Sequence, residues 1–340
     1  MKILQIIDQL GLGGAERVCV NLTNLLHSNN YKVKICVLDN IGPLFKFIEK
    51  DIEVNILDRK KNKITRYLKL VKFLKLAKES DIIHVHGRNT YDYVSRLLLV
   101  HGIKKQLIFH DHSSDYTNVP EFLFNNELQP KYYIGVAEEQ LSWLSSLEIK
   151  GSCPYLLPNM VVKETVMSKS IKKGAVLIGN IKPNKNQIFA IQLVAKLNTT
   201  LTIFGGIQDA DYYQLLIQEI DNLNIKDKVY FVHDEVNVQP RLNEFEFGLH
   251  TSKAECGPLA TVEFLAQSLP FVGFETGEVF RLIKNELPSF YVSTFDVDKW
   301  VDQVELVSSN EVDLVNVYKK HFSPTVYLDK CLVIYNNIIL

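Results

Sequence analysis

The sequence predicts an α/β protein made of two doubly wound parallel-sheet domains. Short apolar runs rich in Ile and Val alternate with helical patterns along the chain, as strands do when crossover helices bury them on both faces. The alternation breaks at Leu157-Pro158-Asn159-Met160 and a polar, Lys-rich stretch to Lys173, then restarts. At 340 residues and 46% hydrophobic content, the chain is long enough for two cores.

In order, residues 2–7 form an apolar strand run, punctuated by Gly11 to Gly14 before a helix over 15–27. A strand at 32–38, a short helix at 44–49 and a strand at 53–57 follow. The pattern continues with a helix at 64–78, a strand at 82–85, a helix at 91–100 and a strand at 106–109. Residues 132–136 (strand), 138–147 (helix) and 154–157 (strand) complete the first series. The second has strands at 175–179, 201–204, 229–232, 245–250 and 271–273, with helices at 186–197, 212–223 and 258–267. Helical patterns return from Trp300, the last over 327–338. The expected organisation is a domain over 1–157, a linker over 158–173, a domain over 174–310, and a helical region over 311–340 that packs back on the first domain.

Five cysteines, at 19, 36, 153, 256 and 331, form no C-x-x-C pair and no disulfide framework, so a reducing cytoplasmic location is expected. No apolar run approaches eighteen residues, and the start lacks a charged region leading into an apolar one, which argues against a membrane span and a secretory signal. A net charge of −1 gives no reason to expect nucleic-acid binding. The charge is uneven: residues 1–150 carry 21 Lys plus Arg against 17 Asp plus Glu. Much of that excess lies between Arg59 and Lys78. There Ile64, Tyr67, Leu68, Val71 and Leu74 read as a core-facing stripe, with Arg66, Lys69 and an outward Phe73 opposite. Such a basic helix could dock on an anionic membrane surface or be an ordinary solvated face.

The most informative segment is Glu255-Cys256-Gly257-Pro258-Leu259-Ala260-Thr261-Val262-Glu263. Pro258 suits the first position of a helix, which places Glu255 on the preceding loop and Glu263 within the helix. The amides of Gly257, Leu259 and Ala260 would then offer a helix start to a diphosphate, flanked by two carboxylates that can hold hydroxyls.

This segment resembles the Glu-x7-Glu signature of retaining nucleotide-sugar glycosyltransferases, in particular glycosyltransferase family 4. The resemblance implies a GT-B fold, two Rossmann-like domains facing across a cleft, with Glu255 on the donor sugar and Glu263 on the nucleotide ribose. The run Gly13-Gly14-Ala15-Glu16-Arg17 resembles the family's early Gly-Gly-Ala-Glu-Arg loop, so Gly13 and Gly14 become candidate donor contacts. A dinucleotide fingerprint fits this loop poorly, because Glu16 stands where a third Gly is wanted. Of the histidines at 84, 86, 110 and 112, His112 best matches the family's sugar-contacting His. His86 and His110 are assigned to the acceptor side. The paired His-x-His runs lack the third-ligand pattern of a zinc class, and no metal is expected.

In Gly179-Asn180-Ile181-Lys182-Pro183-Asn184-Lys185, Lys185 matches the Lys of the family's Gly-Arg-x4-Lys stretch, a point charge for phosphate. Asn180 stands where Arg is usual and loses a fork of donors. Gly205, in a strand-end turn of the family type, is implied by the resemblance to border the donor, and residues 233–238 to lie beside the base. The resemblance thus implies a metal-independent, cofactor-free hexosyltransferase with Glu255, His112 and Lys185 as catalytic groups. Its donor is a nucleoside-diphosphate sugar, UDP favoured, and its acceptor a glycan or lipid-linked glycan of a bacterial capsule, O-antigen or similar polysaccharide. The alternatives are a nucleotide-sugar epimerase or hydrolase on the same fold, and a non-catalytic nucleotide- or glycan-binding module.

Overall fold

The computed structural model describes residues 1–59, 63–166, 172–309 and 312–339, with the backbone alone at 63–66. Residues 60–62 of the basic segment, the side chains of Ile64 and Arg66, and 167–171 of the expected linker lie outside the described residues.

The chain divides into two compact units, one of residues 1–159 and 324–340, the other of 160–323. The first holds β1 (Lys2–Ile7), α1 (Gly14–Ser28), β2 (Lys32–Val37), β3 (Glu53–Ile56), α2 (Lys63–Glu79), β4 (Ile82–His86), α3 (Arg88–Val100), β5 (Gln106–Asp111), β6 (Tyr132–Gly135), α4 (Glu138–Ser146) and β7 (Cys153–Leu156). Its seven strands are all parallel, in the order β3-β2-β1-β4-β5-β6-β7. Chain direction across this sheet reverses between β1 and β4, and ligands of open α/β sheets bind at the carboxyl ends of such strands.

The second unit repeats the plan with β8 (Ala175–Ile178), α5 (Gln187–Leu197), β9 (Leu201–Phe204), α6 (Ala210–Asn222), β10 (Val229–Val232), β11 (Phe247–His250), α7 (Leu259–Ala266), β12 (Phe271–Phe274), α8 (Gly277–Ile283), β13 (Tyr291–Val292), α9 (Val297–Ser309) and α10 (Leu314–His321). Its order is β10-β9-β8-β11-β12-β13, and the reversal falls between β8 and β11. Its core gathers Val176, Leu177, Ile203, Leu249, Phe264, Phe271 and Trp300, residues from both sheet faces and the helices over them.

The last helix, α11 (Pro324–Ile339), belongs to the first unit, where it lies against α1 and sends Tyr335 to the strands. Two expectations are corrected here. The division falls after Ser323, so α10, expected with the C-terminal arm, lies in the second unit against α7. The expected linker is also shorter, since Met160 and Val161 are fully buried.

Helix α2 is rotated relative to the sequence reading. Phe73 is 1% exposed and packs with Leu76 and Ala77 in the core, whereas Tyr67 and Leu68, expected inside, are 66% and 65% exposed. Among the described residues, no helix is long and apolar enough to cross a membrane.

Candidate functional site

In the second unit the loops that leave β8 and β11 meet at the reversal point. Asn186 takes the left-handed conformation and turns the first loop into α5. Asn184 Nδ2 donates to the Ala254 carbonyl at 2.8 Å, Lys253 N to the Asn184 carbonyl at 2.8 Å, and Thr251 Oγ1 to the Lys185 carbonyl at 2.8 Å. These bonds place Lys185 Nζ 2.5 Å from Glu255 Oε1.

Burial pushes the Glu255 carboxyl up, but Lys185, with His250 and Ser252 adding to it, holds it below the usual carboxylate range. His250 is buried and stacked on Phe280, and burial drives its pKa down to about 4, so a neutral ring backs the carboxylate. Glu255 N donates to Thr276 Oγ1, and Glu278 N to the Cys256 carbonyl. A Cβ on Gly277, which has φ +79°, would meet the carbonyl oxygens of Cys256 at 2.7 Å and Glu255 at 2.8 Å, so this loop closes only against glycine.

Helix α7 begins one residue later than expected, at Leu259 with Pro258 as its extended N-cap, and no side chain caps its start. Glu263 faces inward from the helix and is 6% exposed. On the opposite side of the reversal, Asn180 Oδ1 accepts from Gly206 N at 3.2 Å, which ties the β8 loop to the turn after β9. A Cβ at Gly205 would meet the Gly179 carbonyl oxygen at 2.2 Å, so the two loops touch backbone to backbone. His233 Nδ1 pairs with the Gly205 carbonyl at 2.9 Å. The structure therefore gathers Asn180, Lys185, Gly205, Glu255, Gly257, Pro258, Leu259, Ala260 and Glu263 around one reversal point.

In the first unit, Gly13 precedes α1 and Gly14 opens it. The Glu16 side chain folds over Gly13, where a Cβ would meet Glu16 Oε2 at 2.1 Å. Burial raises the Glu16 pKa, while a bond to its own backbone and one from Gln9 oppose the rise. The carboxylate of the chain thus covers the glycine loop at the helix start.

His84, His86, His110 and His112 share one face of the sheet, since Gln5 pairs with His84 across β1 and β4, and His86 with His110 across β4 and β5. His84 Nε2 lies 3.0 Å from His110 Nδ1, and His86 Nδ1 lies 3.1 Å from His112 Nε2. Burial lowers the pKa of all four, to about 3 at His84 and His112, so the cluster is neutral near pH 7. His86 and His110, assigned to acceptor binding by the sequence reading, are 1% and 0% exposed and touch other histidines. Only His112 of the four lines the adjoining concavity of about 610 Å³, together with Arg88, Asn89, Asp92, Arg96 and Asp111. Arg88 forks onto Asp111, whose pKa burial raises against the pull of that arginine.

His84, His86 and His110 could offer metal-ligand atoms within 4.8 Å of one another. The group contains no carboxylate to offset a divalent charge, and its nitrogens, His110 Nε2 excepted, are engaged by one another, His112, Gln5 and Tyr335, as in a neutral hydrogen-bonded network.

Sequence reasoning passed over Gln5, Tyr335, Arg88 and Gly277. Gln5 alone carried a visible signal, a polar residue inside the apolar run Ile3 to Ile7.

Comparison with known proteins agrees with this fold. Residues 12–144 match the model for Glycosyltransferase Family 4, and residues 166–321 that for Glycosyl transferases group 1. These two matches, one in each unit, and the fold support a glycosyltransferase of the family 4, GT-B type. An uncharacterized glycosyltransferase of Haemophilus influenzae is 22% identical over 322 residues, covering 88% of this chain and 87% of the other. The Anabaena Alr3699/HepE structure in complex with UDP and glucose superimposes with a TM-score of 0.81 at 14% identity, over 99% of both chains. A mutant of S. aureus TarM, solved with fondaparinux, alpha-GlcNAc-glycerol and UDP, does so at 0.76 and 13% identity, over 99% of this chain and all of that one.

Proposed function

We propose that the chain is a retaining glycosyltransferase that moves a hexose from a nucleoside-diphosphate sugar to a glycan or lipid-linked glycan acceptor. The observation that carries this reading is the Lys185–Glu255 pair at the reversal point of the second sheet, beside the uncapped start of α7. Lys185 exchanges Glu255 for the donor diphosphate, and the helix start faces the same charge as it grows in the transition state. Glu255, released, orients the sugar hydroxyls, and Glu263 holds the ribose. The bond from the anomeric carbon to the phosphate oxygen breaks as the acceptor oxygen bonds on the same face. The leaving phosphate takes the acceptor proton, and no step calls for a divalent cation.

UDP is the favoured nucleotide, supported by the UDP held in the Anabaena and S. aureus relatives. The polysaccharide setting, capsule or O-antigen assembly on the inner face of a bacterial membrane, is supported by α2. Between residues 59 and 78 the sequence has nine basic residues and no acidic one. Tyr67, Leu68 and Val71 stand exposed among these charges. A second reading, a binding module without turnover, draws support from Asn180, which spends its side chain on Gly206.

Thermal shift against UDP, GDP, ADP and their sugar conjugates, followed by product analysis with and without acceptor, tests the proposal. One nucleotide should raise Tm in wild type and fail to in Lys185→Ala and Glu263→Ala. Binding without transfer to any acceptor would leave the module reading. Sugar release without acceptor would favour the hydrolase.

A further inference from the structure

The buried His84, His86 and His110 and the half-buried His112 are joined to Gln5 and Tyr335 in a network with one end at His112 and another at His110 Nε2. His86 Nε2 lies 2.9 Å from Gln5 Oε1, and the Gln5 amide nitrogen donates to Tyr335 Oη at 3.1 Å. Tyr335 Oη in turn lies 2.6 Å from His84 Nδ1. At the His112 end, Nδ1 is buried and bonds to no group among the described residues, while the ring lines the first-unit concavity. A buried polar atom without a partner calls for a ligand or an unseen donor.

Proton counting along the chain decides what that nitrogen is. Each ring is neutral and carries one proton. The Gln5 amide nitrogen donates to Tyr335 Oη, which turns the Gln5 carbonyl toward His86. A carbonyl only accepts, so His86 holds its proton on Nε2 and offers a lone pair from Nδ1. That lone pair takes the His112 Nε2 proton, which leaves Nδ1 bare.

We propose that Gln5 and His86 are positioning residues that fix the tautomer of His112, presenting Nδ1 as an acceptor to a hydroxyl of a sugar bound in the first-unit concavity. The sugar rests on the function proposed above; the tautomer does not. A donor whose hydroxyl at that position is missing or alkylated would lose the bond, so the network also selects among sugars.

Histidine-selective 15N NMR of the intact protein reads the proton directly, with the His112 signals assigned through His112→Gln. Wild type should show the proton on Nε2 alone. Gln5→Met removes the acceptor, and Tyr335→Phe keeps the aromatic ring but frees the amide to turn; both should give mixed His112 tautomers. Each should raise the KM for the productive UDP-sugar about three- to tenfold, the worth of one hydrogen bond, while kcat changes less. Titration with UDP-glucose, UDP-galactose and UDP-N-acetylglucosamine should move the Nδ1 signal for the productive donor. A wild-type proton on Nδ1, or a His112 tautomer unchanged in Gln5→Met, overturns the proposal. The expected tautomer in a protein that binds no donor would sink the functional reading and leave the relay in place.

Discussion

Lys185 and Glu255 lie 70 residues apart in the chain and 2.5 Å apart in the fold, each mostly shielded, with side-chain exposures of 20% and 18%. Shielding strengthens their attraction and makes either group costly to leave alone. Lys185→Ala should therefore lower stability by about 1–3 kcal/mol, the low side of a buried-pair loss because both groups keep some solvent. Chemical denaturation checks this. Because the carboxyl of Glu255 is held below its usual 4.5, the contribution of the pair is full above that pH and fades as pH falls through the lowered value.

The histidine network makes the protein acid-sensitive well above the carboxylate range. Unfolded histidines titrate near 6.5, while His84 and His112 hold out to about 3 and His250 to about 4. The unfolded state binds more protons in between, so stability is full above pH 6.5 and falls as pH drops toward 4. Each such group adds about 1.4 kcal/mol of slope per pH unit at most. Tm measured from pH 7.5 to 4.5 should fall steeply in wild type and less steeply in His84→Gln.

Gly277→Ala tests the loop closure around Glu255. Positive φ and the two carbonyl oxygens within 3 Å of the new methyl give two separate penalties. The expected cost is about 2 kcal/mol or more, with loss of nucleotide-dependent thermal shift. Unchanged Tm and binding would show that the loop has slack.

Asn180→Arg introduces a guanidinium beside the proposed diphosphate position and removes the bond to Gly206. Calorimetry should find donor affinity higher by about threefold to tenfold, with stability lower by about 1 kcal/mol. Weaker donor binding would place the diphosphate elsewhere.

The outward face of α2 predicts binding to vesicles of anionic phosphatidylglycerol over neutral phosphatidylcholine, with a decline as salt rises. Leu68→Ser with Val71→Ser should weaken cosedimentation several-fold while leaving Tm nearly unchanged, since both side chains are exposed.

Strands and crossovers were readable because a doubly wound sheet writes each strand as a short apolar run, and every predicted strand lies within a few residues of an observed one. The side of α2 that packs was not readable. Leu68 with Val71 and Leu70 with Phe73, Leu74 and Ala77 form two apolar stripes on one helix, and periodicity alone does not say which meets the sheet. At the site, the Glu255 segment was legible because Gly-Pro punctuation and charge spacing are local. The burial of His86 and His110 was not, because they pack on each other and on His84 and His112 across neighbouring strands, and the partner of His84, Tyr335, comes from the far end of the sequence.

That same distance orders events during synthesis. Gln5 leaves the ribosome early and Tyr335 arrives 330 residues later, roughly a quarter of a minute to a minute at ordinary translation rates. Until then the first sheet holds His84 without the phenol that bonds to it, while the second unit, complete at Ser323, is free to fold. A nascent or prematurely ended chain thus completes the unit that holds Lys185 and Glu255 before the bond between Gln5 and Tyr335 can form, so the last helix acts as a completion mark for the first unit.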